Sequence, residues 1–254
     1  MRRTTQTQRT QSTKNEHVGW AMPAAEQEGF RMTTYTVSKQ FAWQGPLSDR
    51  AVQVCRMFGL TIDRLSERAP HHRCAVDIAP GDIVYIMGPS GAGKSVLLRE
   101  LQQCVPVSDA ISLSGVTLAD DRTVIDCFQD DILASLRTLS MVGLGDVFSI
   151  LNRPSRLSEG QKYRFRLAQA LVSGRPFVFA DEFCSELDRI TAATVAFNVH
   201  RFVKQRVSHG PARTQTTLIL ASSREDILID LAPDVVIDKD FTGDARVIYK
   251  QRRH

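Results

Sequence analysis

Residues 83–95 read "IVYIMGPSGAGKS". Five apolar residues, Ile83 to Met87, follow the turn signal "PGD" at 80–82 without polar interruption, as expected of a parallel strand covered on both faces. The next eight residues match G-x-x-x-x-G-K-[ST] in full. Val96, Leu97, Leu98 and Leu101 then carry helical spacing. A strand, a glycine-rich turn and a helix in this order form a phosphate cradle. Gly88, Gly91 and Gly93 let the backbone wrap closely, so that N–H groups face phosphate oxygens. Lys94 supplies a point charge near the β- and γ-phosphates, and Ser95 offers a hydroxyl to Mg2+. The nucleotide-binding run is thus Gly88, Pro89, Ser90, Gly91, Ala92, Gly93, Lys94, Ser95 and Val96.

Outward from this cradle the buried-strand pattern repeats in "TVIDCF" (123–128), "PFVFA" (176–180) and "TTLILA" (216–221). Residues 189–207 have helix spacing that stops at "HGP" (209–211), and "TTYTVSKQFAW" (33–43) is rich in β-formers and reads as a strand. Residues 49–60 have mixed periodicity and leave helix or strand open. Strands alternating with helices predict an α/β fold with a wound, mainly parallel sheet.

Two further stretches address a phosphate. "FVFADE" ends a buried strand in Asp181, which puts a carboxylate at the sheet's C-terminal edge, where it can enter the Mg2+ shell. Glu182 then stands where an attacking water needs a proton acceptor or an orienting group. "LSEGQKYRFRLAQAL" (157–171) opens with Ser158 and Gln161 at capping-box spacing, and "SGRP" (173–176) closes the helix. Capping does not explain Gly160, which is costly in a first turn unless backbone approaches something closely. A helix N-terminus with a serine hydroxyl and a glycine is a second anion site, suited to the far side of a nucleotide.

Leu157, Ser158, Glu159, Gly160 and Gln161 resemble the signature motif of ATP-binding cassette (ABC) ATPases. Their order, after Gly88–Ser95 and before Asp181–Glu182, is that family's order, and the similarity spans roughly residues 33–250. The resemblance implies a P-loop NTPase fold of ABC type, with an N-terminal antiparallel β part and a short helical subdomain at about 130–172. It implies ATP and Mg2+ as ligands. It also implies a homodimer in the ATP state, in which the signature of one subunit closes over nucleotide held by the other. Gln129 falls at the Q-loop glutamine that contacts Mg2+ and senses ATP. "SELD" (185–188) resembles the D-loop, with Asp188 near the dimer interface. An aromatic normally stacks on adenine upstream of the P-loop. Phe58 is the candidate here, with a plain core role as the alternative.

Two departures follow. The switch histidine's position falls on Arg224, with Ser223 as runner-up. An arginine can pair with a γ-phosphate but cannot exchange a proton near neutral pH. Binding and closure are therefore expected to survive, with slow or differently gated hydrolysis that Arg224→His would restore. Secondly, only 28 positions separate Gln129 from Leu157, fewer than transporter cassettes carry in the subdomain that touches the permease. "VGLGD" (142–146) still resembles its final portion. The surrounding residues also resemble a group of soluble ABC ATPases, some fused to acetyltransferase domains.

Composition bounds the rest. A hydrophobic share of 43% and a charged share of 24% are globular values, and no apolar run reaches the roughly 20 residues a membrane span needs. Five scattered cysteines without a C-x-x-C pair fit reduced thiols, and "HHRC" (71–74) reads as a surface loop rather than a metal cluster. The net charge of +4 is accounted for by Arg2, Arg3, Arg9 and Lys14, all in the first 14 residues, where no acid offsets them. The expected division is a disordered basic tail over 1–30 and an ABC-type ATPase domain over 31–254. The tail leaves nucleic-acid contact open, with solvated disorder as the default. No secretory signal is visible, and a cytoplasmic location is expected. The functional expectation is an ABC ATPase coupled to a soluble partner. The alternatives are the ATP-binding subunit of a membrane transporter, with a permease as partner, and a nucleotide-dependent switch with very slow hydrolysis.

Overall fold

The alternating interior of one strand organises the molecule. In the computed structural model, which describes residues 8–10, 32–40, 47–61, 71–209, 215–241 and 243–250, the "IVYIM" run is strand β4 (Ile83–Met87). Ile83 and Tyr85 face one apolar cluster, while Val84 and Ile86 face another on the opposite side of the sheet. Strands β6 (Phe177–Ala180) and β7 (Thr217–Ala221) divide their side chains between the same two clusters. Burial on both faces explains why these strands read as continuous apolar runs.

The main sheet has six strands in the order β5-β6-β7-β4-β8-β9, with β5 (Ala110–Ser112), β8 (Val235–Asp238) and β9 (Arg246–Tyr249) completing it. All pairs are parallel except β8 with β9. A second, antiparallel sheet, β1-β2-β3, consists of β1 (Gln8–Thr10), β2 (Thr33–Gln40) and β3 (His71–Ile78). It packs Tyr35, Val37, Val76 and Ile78 on the face that also receives helix α2 (Lys94–Gln103) through Leu97, Leu98 and Leu101. A partly buried ion pair, Lys39–Glu100 at 2.9 Å, joins β2 to α2.

The opposite face is covered by the helical subdomain and by α6 (Arg189–His209). The subdomain comprises α3 (Ile132–Met141), α4 (Val147–Ile150) and α5 (Glu159–Val172). Among the described residues the remaining α-helices are α1 (Asp49–Met57) and α7 (Leu228–Leu231).

Three expectations change, and one open reading is resolved. "TVIDCF" is not a strand. Val124 is buried, but Asp126 accepts hydrogen bonds from the Thr123 amide and hydroxyl, and this local closure winds Ile125–Cys127 into a 3-10 turn. "HHRC" is not a surface loop: it lies in β3, with His72 and Cys74 buried. The undecided stretch at 49–60 is helical over Asp49–Met57, capped by Ser48 and without a buried residue. Three residues of the tail expected to be disordered, Gln8–Thr10, pair in antiparallel register with Thr34–Thr36, because the outer edge of β2 offers unpaired backbone groups. The rest of the tail, together with residues 41–46 and the "GP" at 210–211, lies outside the described residues.

Candidate nucleotide site

The cradle follows directly from β4. Gly88, Gly91 and Gly93 have φ of 141°, 82° and 96°, a region that L side chains avoid. At Gly88 a Cβ would also lie 1.8 Å from the Lys239 carbonyl oxygen, and at Gly93 one would lie 2.2 Å from the His72 ring. Gly93 is the N-cap of α2 and contributes no side-chain cap, so none of the donors in the first turn is used by one. Lys94 is buried, and its Nζ donates to the Gly88 and Pro89 carbonyls at 2.9 Å each, inside the loop. Pro89 and Ser90 are exposed at the loop's outer turn, Ala92 is buried beneath it, and Val96 is half-buried in α2.

Ser95 Oγ donates to Asp181 Oδ1 at 2.9 Å, bringing the end of β6 to the start of α2. The same oxygen accepts the Glu182 amide at 3.1 Å. Glu182 itself is exposed, has φ of 52°, and its carboxylate makes no hydrogen bond with the described residues. Gln129 is exposed and lines a 340 Å³ cavity with Phe128, Asp130 and Gln169. Gln169 Nε2 donates to the Cys127 carbonyl at 2.9 Å and so ties this loop to α5. Gln129 does not hydrogen-bond to the cradle.

At the start of α5 the capping box is complete. Ser158 Oγ accepts the Gln161 amide at 3.3 Å, and Gln161 Oε1 accepts the Ser158 amide at 3.0 Å. Gln161 Nε2 also donates to Ser149 Oγ, which in turn donates to Asp146, the cap of α4. Leu157 is buried, Glu159 pairs with Lys162, and Ser158 remains exposed. A Cβ at Gly160 would meet the Glu186 carbonyl and Leu187 only at 3.7–3.8 Å, so packing within the chain does not require glycine there. Among the described residues no hydrogen bond joins 157–161 to 88–95.

Asp188 caps α6 by accepting the Thr191 and Ile190 amides at 3.0 Å, and hydrogen bonding from the Thr191 side chain, then from the Thr191 and Ile190 amides, holds its carboxyl below the ordinary range. Phe58 caps the end of α1 and is 75% exposed, which rules out the core alternative. Arg224 differs most from expectation. Its Nε and Nη2 fork onto Asp226 at 3.0 and 2.7 Å, while Nη1 donates to the Cys184 and Leu187 carbonyls. Four contributors were not read from the sequence: Asp226, His72 beneath Gly93, Phe241 beside Gly91, and Tyr163, whose hydroxyl accepts the Cys184 amide at 3.0 Å. Single aromatic or acidic residues carry no spacing signal that could have marked them.

The parallel sheet with its phosphate cradle at the end of β4 defines a P-loop nucleoside-triphosphatase. Residues 71–142 match the family model described as ABC transporter. The aliphatic sulfonates import ATP-binding protein SsuB of Delftia acidovorans is 30% identical over 182 residues, which cover 65% of this chain and 71% of that protein. The chain belongs to the ABC transporter family, as its ATPase domain, and ATP with Mg2+ is its ligand. The SsuB 1 protein of Paracoccus denitrificans is 28% identical, covering 68% of this chain and 75% of its own length. The methionine import ATP-binding protein MetN of Brucella abortus is also 28% identical, and there the match covers 82% of this chain but 61% of the relative. In fold, the dimeric structure of MJ0796, a bacterial ABC transporter cassette, superposes with a TM-score of 0.54 at 17% identity, covering 74% of this chain and 94% of that one. No described helix is long and apolar enough to cross a membrane.

The residues fit this ligand. The left-handed glycines and the uncapped first turn of α2 suit a polyphosphate. The oxygen pair Ser95–Asp181 offers the hard donors that Mg2+ prefers. When bound, Mg2+ neutralises charge developing on the phosphates.

Proposed function

We propose that this chain is the ATP-binding subunit of an ABC membrane importer. The observation that carries this reading is the likeness to SsuB and MetN, both named as import ATP-binding proteins. It favours the transporter alternative over a soluble partner, and nothing among the relatives reported above speaks for nucleic acid. The short helical subdomain, which on length alone pointed away from a permease, still presents apolar side chains to solvent. Phe148 is 85% exposed and Ile132 70%, with Leu133 exposed on α3, Val147 on α4 and Leu151 at the end of α4. Apolar side chains left in water at such a density suit a partner surface.

In this reading Lys94, the P-loop amides and Val96 hold the nucleotide, while Ser95, Asp181 and Gln129 serve Mg2+. Glu182 accepts the proton of the attacking water; its exposed, unbonded carboxylate supports that role. Ser158 and Gly160 address ATP held by a second subunit. The absence of any internal packing need for Gly160 supports this trans contact, as does the dimeric state described for MJ0796. Asp188 stands at the dimer interface. Phe58, exposed as it is, remains the candidate for adenine. Closure is a homodimer's, and the subunit works at the cytoplasmic side of the permease.

The test uses Glu182→Gln, expected to hold MgATP and lower turnover by about 100-fold or more. Loaded with MgATP, the variant should shift from monomer to dimer in light scattering and retain a multi-span permease from detergent-solubilised membranes. Capture of a soluble protein alone, with the membrane fraction yielding none, would overturn the importer reading.

A further inference from the structure

The loop that carries Glu182 and Asp188 is strained and is held from outside. Glu182 and Cys184 both lie at positive φ, 52° and 59°, without being glycine. Such conformations persist only where neighbouring groups determine them. Phe183 is fixed by its amide on the Ala221 carbonyl at 2.8 Å, and Cys184 by its amide on the Tyr163 hydroxyl. The carbonyls of Cys184 and Leu187 point the other way, and both end on one nitrogen, Arg224 Nη1, at 3.1 and 2.5 Å. The rest of that guanidinium is oriented by Asp226, through Nε and Nη2. The Arg224 backbone is fixed as well, its carbonyl accepting the Tyr85 hydroxyl at 2.6 Å and its amide reaching Ser222 Oγ at 3.3 Å.

We propose that Arg224 and Asp226 act as a clamp that positions the Glu182–Asp188 loop, so that Arg224 is a positioning residue and not a contact to the γ-phosphate. The argument is one of donor supply. A guanidinium has five N–H groups, and four are committed here to a carboxylate and two carbonyls. Turning the fork toward a phosphate would strip Asp226 of its partner and release both loop carbonyls together. An imidazole has two nitrogens and cannot reproduce the pattern. Arg224→His therefore lowers turnover instead of restoring it. Lysine, a point charge without a fork, also fails as a substitute.

The inference rests on the ATPase reading of Glu182 and not on the identity of the membrane partner. Its test starts with hydrogen exchange on the isolated chain without nucleotide. The amides of Phe183, Cys184, Ser185 and Leu187 should exchange about tenfold faster in Arg224→Gln and in Asp226→Ala, and no faster than that in the double variant. Steady-state kinetics should show a kcat about tenfold lower in each single variant and in Arg224→Lys, with KM for ATP within about twofold of wild type. Unchanged exchange in Arg224→Gln overturns the clamp. So does a raised KM in Arg224→Gln alongside full turnover in Asp226→Ala, the pattern of a guanidinium that addresses the phosphate directly. If one variant fails to fold, the other still decides, and exchange alone decides where turnover is too slow to read. Failure to recover a permease would defeat the importer reading and leave the exchange result standing.

Discussion

At the scale of single residues, contacts rather than composition decide what a position tolerates. Gly88 combines a φ of 141° with a neighbouring carbonyl that would stand 1.8 Å from any Cβ. That oxygen belongs to Lys239, whose amide is bonded to Met87, so it cannot retreat without breaking the end of β8. Gly88→Ala should therefore cost about 3 kcal/mol, read as a fall of roughly 10 °C in thermal unfolding. The Arg224–Asp226 pair predicts a pH response of definite sign. Hydrogen bonds from Arg224, reinforced by its charge, hold the Asp226 carboxyl below its ordinary value. A depressed carboxyl stabilises the fold above its unfolded pKa, and this stabilisation is lost as pH falls through the folded value. The pair's contribution is thus constant through neutrality and disappears only below about pH 4. A series of melting temperatures from pH 3 to 8 should show this acid-side loss in the wild type, and a smaller one in Asp226→Asn. At this scale the cradle was legible, because every glycine in it is fixed by a named angle or a named clash. The orientation of Arg224 was not, since its partners come from two separate loops that only the tertiary fold brings together.

At the scale of elements, the strands that were easiest to read are those buried on both faces. β4, β6 and β7 have no polar face, so an uninterrupted apolar run was sufficient evidence for them. "TVIDCF" has the same look but a different outcome, because Asp126 accepts the Thr123 amide and the Asn152 carbonyl accepts the Val124 amide, which leaves neither for a neighbouring strand. Helix α1 was ambiguous for a different reason: it is short, mixes Val52, Val54 and Cys55 with charged residues, and none of its residues is buried. Asp131 caps α3 and Asp146 caps α4, so the apolar side chains they carry outward sit on anchored helices. Phe148→Asp should for this reason leave thermal stability within about 0.5 kcal/mol of wild type. Recovery of the permease by the MgATP-loaded Glu182→Gln protein should fall at least about tenfold with this change, a drop expected when a central aromatic anchor is lost. Retention of full recovery would mean that α4 lies outside the partner surface. The signature helix is wired into the same element: Gln161 joins the Ser158 amide to Ser149, which bonds Asp146, so α4 and Ser158 are linked through side chains and one backbone amide.

At the scale of the whole molecule, the sheet and the site were legible as a class and the partner was not. Motif order marks the family because the P-loop, the strand ending in Asp181 and the 157–161 segment each carry their own spacing in the sequence. The partner depends on a surface, and exposed apolar side chains in a short insert carry no periodic signal in sequence. The strand order has a temporal consequence as well. β4, the support of the P-loop, has β7 and β8 as its two neighbours, and these end at Ala221 and Asp238. On a ribosome adding about 5–20 residues per second, the completed P-loop sequence waits roughly 7–30 s for those neighbours to be made. Throughout that interval β4 has neither of its two sheet neighbours, whereas α2 can already meet β2 and β3, which precede it in the chain. The strands that flank β4 are synthesised only after β6 and α6, so the growing chain cannot complete that support until well after its P-loop has been made.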